Sequence, residues 1–426
     1  MSDHVTRRGV LAAGGLLATS GLAGLASAGN HGEGNGNAGD PSDLRLFSEA
    51  AVDNSHEVDT DGKYAYVATG DGMGVADWRN PGKPEVVASL DASDPAGGIL
   101  DVKVDGDLAS LASNGGPGIT LVDVSDPENP EEITFYDAGH DVHNNFLYKD
   151  HAYLTINESG SNTFSEARTD IVDVSDPSDP KKVGEWRLAD HFPEFAAAGV
   201  NPNHDVYVQD DLLYQAYWDA GVVIADVSDP SNPTTVAQFG DVAGADTPQP
   251  DSFPVERYYT APGNAHYVQP SPDGDHVYVG PESFPGLIPG SDNYGQIRVY
   301  DVTDMDDPEL VSTIQPPDVD AFRTAHNFDV TANELHASWY SGGVRIYDIT
   351  DPTNPTEKAV YDPDGYSFWG AVSSRGFTIG AVYGASSSAT AGGLTVLHDD
   401  RGKKRPPGFD GAAPPEDPGM GVEEET

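Results

Sequence analysis

A chain of 426 residues in which 70 acidic side chains face 22 basic ones carries a formal charge of −48, and the acids run along its whole length. Self-repulsion of that size excludes nucleic acid and anionic lipid as partners, and it is best tolerated where salt screens it, which points to a halophilic host. With no cysteine, the chain has no disulfides, no thiolate metal sites and no cysteine nucleophile.

In chain order, residues 1–28 come first. TRRGVLAAGGLLATSGLAGLASAG places Arg7 and Arg8 ahead of a Gly- and Ala-diluted apolar run and ends on Ala26, Ser27 and Ala28. It resembles a twin-arginine export signal with cleavage near Ala28. The run is short and weakly apolar for a permanent span. The mature protein is therefore expected outside the cell or at its surface, without a transmembrane segment. Residues 29–43 are expected to be flexible.

From residue 44 a repeat takes over. GVADWRNPGKPEVV, ITLVDVSDPENPEEI, DIVDVSDPSDPKKV, VVIADVSDPSNPTTV, IRVYDVTDMDDPELV and VRIYDITDPTNPTEKAV share one pattern, an apolar run ending on Asp77, Asp123, Asp173, Asp226, Asp301 or Asp348. A degenerate seventh unit, GGLTVLHDD, puts His398 at that place. Each unit reads as four short strands rich in Val, Ile and Tyr, punctuated by Gly, Asp and Pro. Four strands per unit at this period predict an all-β, seven-bladed propeller over residues 44–398. The SDPxNP steps read as turn chemistry rather than calcium loops. The seventh unit lacks a fourth strand, and residues 44–52 are of the right type to supply it and close the ring. The Pro- and acid-rich tail, 399–426, is expected to be disordered.

The VDVSDPxNP units resemble the LVIVD-repeat propellers, and AHNFDV through SGGVRIYDITDPTNP to YSFWGAV resembles the extracellular choice-of-anchor B group. The resemblance implies a secreted or surface-attached propeller. It implies no activity.

Aligned on their second strands, the blades show a column at the head of the first strand: His56, Leu100, His143, His204, His266, His326 and Trp369. Five of the chain's 13 histidines fall in it. First strands surround the propeller axis, so these imidazoles can converge on one transition-metal ion such as Zn, Cu, Fe or Mn. Glu158 and Glu282, in loops between second and third strands, are candidate carboxylate ligands or orienting groups. The long segments 157–170, 189–203, 240–265 and 280–296 all belong to one rim, where Trp218, Phe253, Tyr258, Phe284, Trp339 and Trp369 can line a pocket. Two functions follow. One is a monomeric module that binds an extracellular ligand or protein through this rim; the other is a metal-dependent enzyme with oxidative or hydrolytic chemistry. Against both stands a structural reading, since strand side chains alternate between neighbouring blades and a histidine there can simply bond a backbone carbonyl.

Overall fold

The structure, a computed structural model, describes residues 42–93, 97–157, 166–197, 201–240, 259–383 and 392–399. The export segment, Glu158, Phe253, Tyr258 and the tail from residue 400 lie outside these. The described residues form seven four-stranded antiparallel blades, arranged as a propeller, with one short parallel strand added to the sixth.

The inner strands, in order, are Val58–Thr60, Ile99–Asp105, Val142–Tyr148, Asn203–Gln209, Ala265–Pro270, Phe328–Val330 and Phe368–Ser374. Each packs on the next, and the last packs on the first. The middle strands of a blade are covered on both faces by its neighbours, so they need apolar residues at consecutive positions. Gly118–Asp123 and Gly221–Asp226 are accordingly buried up to their last residue. The outer strands face water, and Glu85–Asp91 is mostly exposed or half-buried.

The repeated aspartates are explained locally. Asp123, Asp173, Asp226, Asp301 and Asp348 each accept the N–H two residues on, at 2.8–2.9 Å. In the following turn Asp176, Asp229, Asp304 and Asp351 do the same at 3.0–3.1 Å. These bonds supply the turn's geometry, as the sequence reading expects of SDPxNP.

Closure follows the expected route. Arg45–Ala51 pairs antiparallel with Gly393–His398 and completes the last blade. The chain is ordered two residues earlier than expected: Ser42–Asp43 lies parallel to Thr356–Tyr361, the outer strand of the sixth blade. That outer edge offers unpaired backbone groups, and the passing chain takes them, with Leu44 N–H donating to the Val360 carbonyl at 2.7 Å. Leu44 itself is buried beside Val344, Phe368 and Leu397, between the two blades. At the other end Asp399, expected in the tail, is buried.

Candidate metal centre

What aims the histidine column at the axis is a slip in strand register. In the fourth blade Asn203 faces Tyr217 and Asp205 faces Ala216, so His204 has no partner across the ladder. The same slip leaves over Leu100, His266 and Trp369, and in the third blade His143 and Asn144. His56 and His326 stand just ahead of their strands, held by N–H bonds to the Ala68 and Ser338 carbonyls. A bulge leaves its extra residue outside the ladder and re-aims its side chain. Alternation between neighbouring blades therefore does not govern these positions.

The rings meet in sequence. Centroids are 4.2 Å apart for His143 and His204, 3.8 Å for His204 and His266, and 4.6 Å for His266 and His326. Trp369 continues the arc at 4.3 Å from His326, and His56 follows at 5.1 Å from Trp369. Leu100 supplies no donor, and the arc of neighbouring imidazoles runs from His143 to His326.

A second column supports the first. The third-strand residue Asp77, Asp123, Asp173, Asp226, Asp301 or Asp348 faces the first residue of each second strand. Counting on from that residue, the chain reaches Gly70, Asn114, Asn157, Trp218, Glu282, Tyr340 and, in the last blade, Tyr383. Each touches the bulge of the next blade or the residue beside it. Gly70 bridges backbone to Ile99, and Asn157 bonds the Asn203 backbone in both directions. Asn114 Oδ1 lies 2.9 Å from His143 Nδ1. Trp218 packs on His204 and His266, Tyr340 on His326 and Trp369, and Tyr383 on Trp369 and His56. Glu282 is this column's one carboxylate.

Glu282 stands where the imidazoles converge. Its Oε2 is 3.2 Å from His266 Nε2 and its Oε1 is 3.7 Å from His326 Nε2. Donor atoms of His204, His266 and Glu282 all lie within 4.8 Å of one another. His266 Nε2 is within ion-pair range of the carboxylate yet not aligned for a hydrogen bond, and both its ring nitrogens lack hydrogen-bond partners. His326 is fixed more tightly. Its Nδ1 is 2.7 Å from the Trp369 carbonyl, which can only accept, so Nδ1 carries the proton and Nε2 turns a lone pair toward Glu282. Burial drives the pKa of His266 down to about 3, and burial together with the neighbouring His266 brings His326 to about 3 as well. Burial likewise lowers His143 to about 4 and His204 well below its usual value, while it raises Glu282. The lone pair of His326 Nε2 and an ionised Glu282 repel unless a proton or a metal cation lies between them. The bond from the far ring nitrogen to a carbonyl is also how metal-bound histidines are held.

One residue along each inner strand lies a second polar layer. Glu57, Asp101, Asn144, Asp205 and Asn327, all buried, follow the column directly. Lys103 Nζ donates to Asp101 Oδ1, Asn144 Nδ2 to Asp205, and Asn327 Nδ2 to Glu57. Asn145 Nδ2 donates to Asp101 Oδ2 at 2.7 Å. Gly370 occupies the equivalent place in the last blade, where a Cβ would come within 2.9 Å of Glu57 Oε1. Burial raises Glu57 from 4.5 to about 7, against the pull of Lys103, and raises Asp205 well above its usual value.

A raised carboxyl favours folding while protonated: its contribution is complete below pH 4.5 and is lost as the pH rises through about 7. Glu57→Gln should therefore stabilise the protein by about 3 kcal/mol at pH 8.5, at 1.36 kcal/mol per unit, and by almost nothing near pH 4.5. Denaturant midpoints at the two pH values in high salt measure this, and equal effects at both would contradict it.

Of the residues expected to line the rim, Trp218 and Trp369 flank the histidines. Trp339 does not. It is wholly buried among Tyr278, Ile297, Val299 and Tyr347, between blades. It stands one position before Tyr340, just past the strand Glu334–Ser338, and of the two only Tyr340 packs on His326 and Trp369. Surface clefts of 440 and 420 Å³ lie near Lys149 and Arg323, and none of the column histidines lines either. The histidine rings sit at contact distance, which suits an ion rather than an organic molecule.

The sequence pattern described as LVIVD repeat matches residues 54–92, 96–138, 165–187, 203–241 and 340–363, so the chain carries LVIVD repeats. These fall on the first four blades and the sixth. Among curated proteins none matches the sequence. The Cps50 (Swd1) β-propeller domain of Myceliophteria thermophila superposes with a TM-score of 0.58 at 12% identity, covering 84% of this chain and 99% of that one. The WD40 β-propeller domain of Doa1 gives 0.53 at 10% identity, covering 84% and 98%, and U3-55K gives 0.54 at 9%, covering 84% and 99%. At these identities the likeness is one of fold. No helix among the described residues is long and apolar enough to cross a membrane.

Proposed function

We propose that this chain is an exported binding protein that holds one transition-metal ion (Zn, Cu, Fe or Mn) at the mouth of its axial channel. His204, His266, His326 and Glu282 are the ligands, and His143 flanks them. The observation that carries this reading is the pair of buried Nε2 atoms, from His266 and His326, set against the two oxygens of Glu282 at 3.2 and 3.7 Å. Imidazole nitrogen with carboxylate oxygen suits first-row transition ions, with nitrogen–metal distances of about 2.0–2.1 Å for zinc.

Export by the twin-arginine route, an extracellular or surface location, a halophilic host and a monomeric state complete the proposal. Its support is the Arg7–Arg8 signal, the charge of −48 and the resemblance to the choice-of-anchor B group. The alternative is a metal-free interaction module using the elaborated rim, and it has the scaffold in its favour.

Elemental analysis of protein purified without an affinity tag separates the two readings. About one equivalent of metal per chain is expected, and His204→Ala/His326→Ala should lose it while keeping the propeller's circular dichroism. Metal-free wild-type protein, with folding indifferent to chelator, would leave the interaction module standing.

A further inference from the structure

We propose that Tyr340 is a positioning residue that makes Glu282 a ligand through one oxygen only. The inference rests on the metal-binding reading above. Tyr340 is wholly buried, and its hydroxyl donates to Glu282 Oε1 at 2.6 Å. That bond occupies Oε1 and leaves Oε2 as the oxygen facing His266. A carboxylate with one oxygen accepting from a phenol is biased to ligate an ion through the other. Free of that bond it can swing to grip the ion with both oxygens.

The backbone at Tyr340 fits the same role. Its φ of +48° lies in the left-handed region, which a bulky side chain occupies only where its surroundings impose it. An isolated bridge to Phe368 supplies that constraint, with the Phe368 N–H donating to the Tyr340 carbonyl at 3.1 Å. The ring is then wedged between Phe322, His326 and Trp369 at centroid distances of 4.8, 5.1 and 5.9 Å. Tyr340 thus fixes a ligand oxygen on the fifth blade while packing on a ligand imidazole of its own blade. Its place in the second column is the one Glu282 fills in the blade before, so carboxylate and phenol are neighbours by repeat symmetry.

The test is titration of tag-free, chelator-treated full-length protein with Co(II) and Zn(II), following Co(II) visible absorption and competing with a chelator of known affinity. Tyr340→Phe should bind 10–100-fold more weakly, the range for loss of a ligand's hydrogen-bond partner. Its Co(II) bands should also weaken, because a two-oxygen Glu282 raises the coordination number. Wild-type binding with Tyr340→Phe unchanged in affinity and spectrum would overturn the positioning role alone. Failure of wild-type protein to bind either ion would overturn the metal reading and this inference together. If Tyr340→Phe does not fold, difluorotyrosine placed at position 340 keeps the ring and strengthens the donor. The Co(II) bands should then shift, and unshifted bands would overturn the proposal.

Discussion

A chain that begins at Val52 should fail to accumulate as a folded protein, and a synthetic peptide spanning residues 42–51 should restore folding when added in excess. The removed segment supplies the outer strand of the last blade through the pairing of Arg45–Ala51 with Gly393–His398. Without it Gly393–His398 becomes a bare edge, and the apolar cluster around Leu394 and Val396 loses the cover of Ala50. Leu44 is withdrawn from the seam with the sixth blade as well. The combined loss is comparable with the whole stability of an ordinary domain, about 5–15 kcal/mol. Circular dichroism and sedimentation of the truncated chain, with and without peptide, measure the outcome. A truncated monomer that unfolds at the wild-type denaturant midpoint would show that the segment closes nothing.

Lys103→Met is expected to cost about 3–5 kcal/mol, the range for removing one member of a buried ion pair. Lys103 is the second layer's cation. It donates to Asp101, and its charge acts on Glu57, Asp59 and Asp205 as well. Burial alone would lower the lysine's pKa, yet Asp101, Glu57 and Asp205 raise it, so it stays charged at the axis. Methionine fills much the same space and leaves the acids facing one another. Adding Asp101→Asn should recover part of the loss, since it removes the acid bonded to the missing ammonium. Equilibrium denaturation in high salt reads both variants. A loss below about 1 kcal/mol would mean that the layer protonates freely and that Lys103 is dispensable.

Much of this molecule is legible in its sequence because much of it is local. The turn after each third strand carries its own hydrogen bonds, so six variants of one turn announce six blades, and the missing strand of the seventh is found by type at residues 44–52. The histidine column is readable too, by counting from the second strands. Its orientation is not, because a one-residue register slip leaves no mark in an alternating pattern. Trp339, expected on the rim, is buried between blades, and Tyr340 beside it is not singled out by pattern, because the chain leaves the strand at Ser338 and turns left-handed at Tyr340. Lys103, in ILDVKVD, is not singled out by its strand pattern, because only the closed ring of inner strands turns that side into an interior. Glu282 was visible as a loop carboxylate, but its place opposite His326 belongs to the contact between two blades, which no single repeat contains.

The bulges have a wider consequence. A residue that lies outside the ladder is released from the alternation that dictates its neighbours, and His, Leu and Trp all occupy that seat within this one chain. The scaffold therefore behaves as a socket with interchangeable pins. Its chemistry can be rewritten by single substitutions at these seats while the surrounding sheets keep their assembly.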